Sequence, residues 1–285
     1  KMKKILLTTT ALVATAGFAM AEVSVSGSAD IGLKYSDSGV NKTTVESDVD
    51  INFAMSGETD GGIAWTASGG LSNDTNSGNT GASTGSTDTG VVSISGDFGT
   101  IGVGDVASAL SSVGMGDIGY DGIGIDDEAE VSMVELNSDV HWKYAMDGIS
   151  LVVSTNSHND NAAISAGWTS GAMTIAVAHQ GAGTTAGETN NAASVSTSVG
   201  GMAVTVVMAD SSVTATGSSQ GLTIALAPSD AFGTVTFAMS DNHGATDASY
   251  GVGFSKGLGG GATLAGAYGT VDNVAKADLG ISFSF

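Results

Sequence analysis

Seven carboxylates crowd one stretch of this chain: Asp117, Asp121, Asp126, Asp127, Glu128, Glu130 and Glu135 lie between Val106 and Ser138, with no Lys, Arg or His among them. The chemistry such a set offers is electrostatic, because grouped carboxylates concentrate cations and repel anions. Bond-breaking chemistry has no comparable constellation. Serines abound and His141, His158, His179 and His243 are present, yet there is no G-x-S-x-G elbow and no H-E-x-x-H pair. The chain has no cysteine, which removes thiol nucleophiles, thiolate metal ligands and any disulfide framework. A hydrolase with a scattered triad stays open as an alternative, and ester hydrolysis abolished by changing one His would reveal it.

The elements that must hold these acids are strands. From Glu22 to Tyr35, Val23, Val25, Ala29, Ile31, Leu33 and Tyr35 fall on one face, and Glu22, Ser24, Ser26, Ser28, Asp30 and Lys34 on the other. The next run sets Val45, Val49, Ile51, Phe53 and Met55 against Glu46, Asp48, Asp50 and Asn52. A charged face of that length has no place in a packed core. It suits a wall with lipid on one side and water on the other.

The alternation recurs between turn signals. Ile63, Trp65, Ala67 and Leu71 mark a third strand, Val92 and Ile94 a fourth, and Ile101 and Val103 a fifth. Val140, Trp142, Tyr144 and Met146 mark a sixth, with His141 and Lys143 on its other face. Further runs begin near Gly148, Asn161, Ser170, Asn190, Gly201, Ser218, Phe232, Thr246, Gly260 and Ala275, predicting sixteen strands, with fourteen as the alternative even number. In the middle group, around Met202 to Met208, the inner face is small rather than ionic. The last run, AKADLGISFSF, places Leu279, Ile281, Phe283 and Phe285 on the lipid side. The fold class expected is an all-β, up-and-down antiparallel transmembrane barrel.

Ahead of the first strand, Lys1 to Lys4 are basic, Ile5 to Ala16 is mostly apolar, and Ala19, Met20 and Ala21 form an A-x-A site. This predicts a signal peptide over 1–21 and a barrel over 22–285. The apolar run is too short for a membrane anchor. Removing the leader takes three of the eight basic residues, so five lysines and no arginine face 29 acids, a net charge of −24. Such a surface repels nucleic acid.

SGETDGG (Ser56 to Gly62) and SGDFG (Ser95 to Gly99) read as tight turns, and the polar stretch from Ser72 to Thr87 reads as a long loop at the other end. That stretch lacks the regular oxygen spacing of a calcium loop. No cofactor is expected, and structural calcium is left open. Val106 to Ser138 is a second long connection, and connections of that length usually have a role. Its Met115, Ile118, Ile123, Ile125, Val131, Met133 and Leu136 predict that it folds inward and pins itself to the wall, presenting its carboxylates to the lumen.

The start EVSVSGSADIGLKY, the stretch SGDFGTIGVGD (Ser95 to Asp105) just before the acidic loop, and the end ADLGISFSF resemble the general porins of photosynthetic and related alphaproteobacteria. The resemblance implies a 16-stranded homotrimer in the outer membrane of a Gram-negative bacterium, passing small hydrophilic solutes, with the third loop forming the acidic edge of the pore. It also implies that the barrel assembly machinery recognises the terminal strand. In that family basic residues, often Arg, line the wall opposite the loop. This chain departs from that pattern: it has no Arg, and Asp30 stands where relatives can carry a base. By face parity the lumen wall holds Asp30, Lys34, Glu46, Asp48, Asp50, His141, Lys143 and Lys276, with Lys34 and Lys276 brought together by closure. The acids outweigh the bases, so cations are expected to be favoured. A secreted acidic β-rich adhesin is the remaining alternative, and extraction into buffer without detergent would point to it.

Overall fold

The computed structural model describes residues 22–74, 84–87, 90–133, 137–158, 161–181, 188–212, 217–229 and 232–285. The leader expected over 1–21 lies outside them, as does Glu135. Within the described residues the strand segments are Glu22–Ser36 (β1), Thr43–Glu58 (β2), Ala64–Asp74 (β3), Thr84–Thr87 (β4), Val91–Gly96 (β5), Gly99–Val106 (β6), Ser138–Met146 (β7), Ile149–Asn156 (β8) and Asn161–Ser170 (β9). They continue as Met173–Gln180 (β10), Asn190–Val199 (β11), Met202–Ser211 (β12), Ser218–Ser229 (β13), Gly233–Asn242 (β14), Ser249–Gly259 (β15), Ala262–Val271 (β16) and Val274–Ser284 (β17).

Neighbouring strands pair antiparallel, and β1 pairs with both β2 and β17, which closes the ring. β4 and β5 are two parts of one stave, because β4 pairs with Leu71–Asp74 and β5 with Ala64–Ser68 of the same strand. The barrel therefore has sixteen staves, and fourteen is set aside. Part of the Ser72 to Thr87 stretch read as loop is instead ladder. Its Ser, Asn, Thr and Gly residues show no alternation, because a ladder rising above the lipid has no apolar face to write.

The two faces separate as the period of two requires. Ile31 is 56% exposed and Leu33 49%, whereas the inward Gly32 and Asp278 are buried. Tight turns join strands at the end where the termini meet. Asp147 and Gly148 both have positive φ, as do Gly200 and Gly201, the geometry of two-residue hairpins that matches strand twist. At the same end Trp142 Nε1 donates to the Phe98 carbonyl at 2.8 Å and its ring stacks on Tyr144 with centroids 5.8 Å apart. Trp65 packs on Gly57, and Trp168 sits opposite Ile149. Tyr35 lies toward the other end, opposite Ala277.

A barrel has no apolar centre of its own. Here the buried apolar cluster joins Leu110, Val113, Met115, Ile118, Ile123, Ile125, Ala129 and Met133 of the β6–β7 connection to small wall residues such as Ala176, Ala192, Val207, Ala238 and Ala267. The connection lies inside the ring, and these apolar side chains are covered by the wall; Val131, expected to pin the loop as well, is exposed instead, and Leu136 lies outside the described residues. The small inner face of the middle strands is the seat it occupies.

Candidate functional site

The inward connection is held at three places. It begins with a 3-10 turn, Ala109–Ser112, capped by Ser108, whose Oγ accepts from Leu110 N at 3.2 Å. The Ala109 N–H donates to Ser154 Oγ of β8 at 2.8 Å, so this turn rests on β8–β10. Further on, the helix Ile125–Glu130 (α1) rests on β12–β15. There the Ser219 hydroxyl donates to the Ala129 carbonyl at 2.6 Å. Asp126, Asp127 and Glu128 form the helix's first turn, where the exposed N–H groups favour negative charge.

The third anchor is the segment between them. Tyr120 lies across β1 and β17 at the register pair Gly32 and Gly280. A Cβ on Gly32 would stand 2.8 Å from Tyr120 Cζ, and one on Gly280 would stand 2.5 Å from Tyr120 Cγ, so the ring needs both glycines. Beside it, the buried carboxylate of Asp278 accepts the N–H groups of Tyr120 and Asp121, each at 2.9 Å, and that of Ala267 at 2.7 Å. Burial and then the charges of Asp30 and Asp121 push the Tyr120 hydroxyl pKa upward, keeping it a neutral phenol.

Six of the seven carboxylates expected in the loop lie within the described residues, and they divide by role. Asp121 pairs with Lys34, which also holds Glu46 at 3.0 Å. Asp127 is exposed. Glu130 turns back and accepts Met115 N at 2.7 Å, and Glu128 accepts from the Asn242 side chain, so both tie the loop together or to the wall. Asp117 and Asp126 face one another within the loop.

On the wall, Asp30 of β1 stands directly opposite Asp48 of β2, and Ser28 Oγ donates to Asp50 Oδ2 at 3.3 Å. Lys276 joins Lys34, Glu46, Asp117, Asp121 and Asp127 in lining a cleft of about 440 Å³ between loop and wall. Lys143 is exposed on the inward face of β7, whereas His141 is buried against Gly102 of β6. Beside the Tyr120 anchor on β1, Asn52, Thr66 and Ser68 occupy exposed inward positions of β2 and β3. Leu279 and Phe283 are exposed on the outer face, and Phe285 pairs its backbone with Gly27 on β1, N to O, at 2.9 and 3.0 Å. Ile281 points outward with them, opposite Ile31.

Sequence reasoning missed the anchors. Asp278 reads as one more polar inward residue, and Gly32, Gly280, Ser219 and Asn242 carry no signal until the loop is placed over them. The small inward face of the later strands, which the sequence shows without saying what covers it, is the signal that could have located the seat. Among the described residues no group of three or more His, Asp or Glu is gathered as a metal site.

Removal from water and the charge of Asp126 push Asp117 up from 3.8 to about 7, and burial raises Asp126 as well. Asp117 thus takes the proton and shares it with Asp126. A carboxyl raised in this way is charged at a cost to the folded loop above about pH 7, and the cost vanishes as pH falls from 7 toward 4. The seat therefore tightens over the range in which the loop loses negative charge. The expected result is a reversal potential across a potassium chloride gradient that shifts in the anion direction between pH 8 and pH 6, as the loop loses charge. An Asp117→Asn variant showing the same step would refute this assignment.

A family model described as a Gram-negative porin matches residues 8–276. No protein of curated function matches the chain. Among solved structures, a triple mutant of the Rhodopseudomonas blastica porin superposes with a TM-score of 0.78 at 21% identity, covering 92% of this chain and 100% of that one. Another, described under asymmetric conductivity of engineered proteins, superposes with a TM-score of 0.79 at 22% identity, covering 93% and 100%.

Proposed function

Because this chain belongs to the Gram-negative porin family, we propose that the outer-membrane diffusion channel it forms selects cations. Passage through such a channel is passive and leaves the solute chemically unchanged. The observation that carries the selectivity is the excess of acids on the loop and on the β1–β2 wall beside it. The loop offers Asp121 and Asp127, the β1–β2 wall offers Asp30, Asp48 and Asp50, and no arginine stands anywhere in the chain to oppose them. Lys34 is already engaged by Glu46 and Asp121. A passage lined with carboxylates enriches cations and excludes anions, and the effect weakens as salt shortens the screening length.

Conductance through planar bilayers tests this. With a tenfold potassium chloride gradient the reversal potential should have the sign of cation preference, and Asp127→Asn should reduce it. A potential of zero in the unmodified protein would sink the reading.

The same proposal includes a leader over residues 1–21 and recognition of Leu279, Ile281, Phe283 and Phe285 by the barrel assembly machinery. It also includes a homotrimer in the lipid bilayer, supported by the resemblance of the strand and loop order to general porins. Conductance steps in groups of three would agree with the trimer, and single independent steps would not.

A further inference from the structure

The charges in the cleft do not cancel locally. Lys34 is taken by Glu46 and Asp121, and Lys42 by Asp37. Lys276 makes no ion pair among the described residues, although Asp127 is close by. Between the two lies Gly124, in the left-handed region at φ 82°. The point a Cβ on Gly124 would occupy is 3.0 Å from Asp127 Oδ2 and 3.4 Å from Lys276 Nζ. The two charges therefore lie within reach of one common point, close enough for one small ligand to bridge them from the cleft side, although they do not pair with each other. Residue 124 has no side chain to screen the two charges from one another, and Gly124, Asp127 and Lys276 all line the cleft of about 440 Å³.

We propose that this cleft is a station for small zwitterionic solutes, with a free α-amino acid as the chemical class. The solute ammonium would meet Asp127 and its carboxylate would meet Lys276. A simple cation finds Lys276 repelling it there, and a simple anion finds Asp127. Only a solute carrying both signs on one carbon satisfies both, and neither contact is buried deeply enough to hold it permanently. That is the balance passage requires, since a site must favour entry and still release. The inference rests on the reading of the loop and the β1–β17 wall as the pore edge.

The test uses glycine and its uncharged isomer glycolamide, both labelled, entering vesicles that contain the full-length refolded barrel. Glycine at micromolar concentration should enter about five-fold faster than glycolamide, the size of effect two solvent-exposed charge contacts supply. Its flux should saturate with concentration while that of glycolamide stays linear. Lys276→Met and Asp127→Asn should each bring the ratio near one, the double variant should go no further because one solute bridges both groups, and Lys276→Arg should restore the preference. Equal entry of the two isomers in the unmodified protein, or a preference that survives both substitutions, overturns the station while leaving the diffusion channel standing. Entry of neither isomer overturns the channel reading and the station with it.

Discussion

An Asp278→Ala variant is expected to conduct more current than the unmodified channel and to admit larger sugars, because the loop loses one of its three anchors on the barrel wall. The Asp278 carboxylate is buried and accepts three backbone N–H groups, two of them from the loop. Hydrogen bonds to a charged partner contribute about 1.5–3 kcal/mol each, and the donors left behind lose their partner in a site sheltered from water. Even allowing for poor additivity, about 3–5 kcal/mol of anchoring disappears. The Tyr120 ring and the Lys34–Asp121 pair remain, but both sit on the same short segment that Asp278 orients. The loop contains no Lys or Arg, so trypsin reports nothing there. A glutamate-specific protease cutting at Glu128 or Glu130 distinguishes a released loop from a seated one. An Asp278→Ala barrel with unchanged conductance and a protected loop would show that the other two contacts suffice. Asp278→Asn, which keeps one acceptor oxygen, should fall between.

Replacing Asp48 and Asp50 together by lysine is expected to abolish or reverse ion preference. Both lie on inward positions of β2, and the change moves the formal charge of that wall by four units. The barrel tolerates it for a specific reason. Asp30 and Asp48 are directly opposed across β1 and β2, and like charges in that position are destabilising. Asp48→Lys turns a repulsion into an attraction of about 0.2–1 kcal/mol. The lysines also supply a basic wall facing an acidic loop, the arrangement this chain otherwise lacks. Reversal potentials across a salt gradient give the answer directly. An unchanged value would place the ion path more than about 8 Å from these residues at physiological salt, beyond the reach of their field.

The ring of staves was legible because lipid and water impose opposite demands on alternate residues. The pattern Val23, Val25, Ile31 and Leu33 against Ser24, Ser28, Asp30 and Lys34 leaves little choice of register or of face. The inward course of the acidic connection was legible too, since Ile118, Ile123 and Ile125 need cover that an exposed loop would not provide. What alternation could not separate is an inward residue that meets water from one that meets the loop. Asp278 and Asp50 look alike on paper, yet one is buried under two loop amides while the other receives only a serine hydroxyl. Within the loop, Glu130 and Asp127 both read simply as carboxylates of the acidic stretch. Only the turn that brings Met115 N to Glu130 makes one of them structural. The polar Ser72 to Thr87 stretch was read as loop because a ladder beyond the membrane carries no apolar stripe.

The place of Asp278 in chain order bears on how the molecule is made. The residues it grips, Tyr120 and Asp121, precede it by 158 and 157 positions. It sits on β17, the stave that meets β1 and seals the ring. Half of the tyrosine's glycine seat, Gly280, arrives on that same stave. Contacts so distant along the chain form late, after nearer ones have compensated for the entropy of bringing the segments together. The loop is thus captured in the step that welds the cylinder shut, so a chain that closes with the loop outside finds its seat already walled off. Correct insertion becomes a matter of timing as much as of affinity.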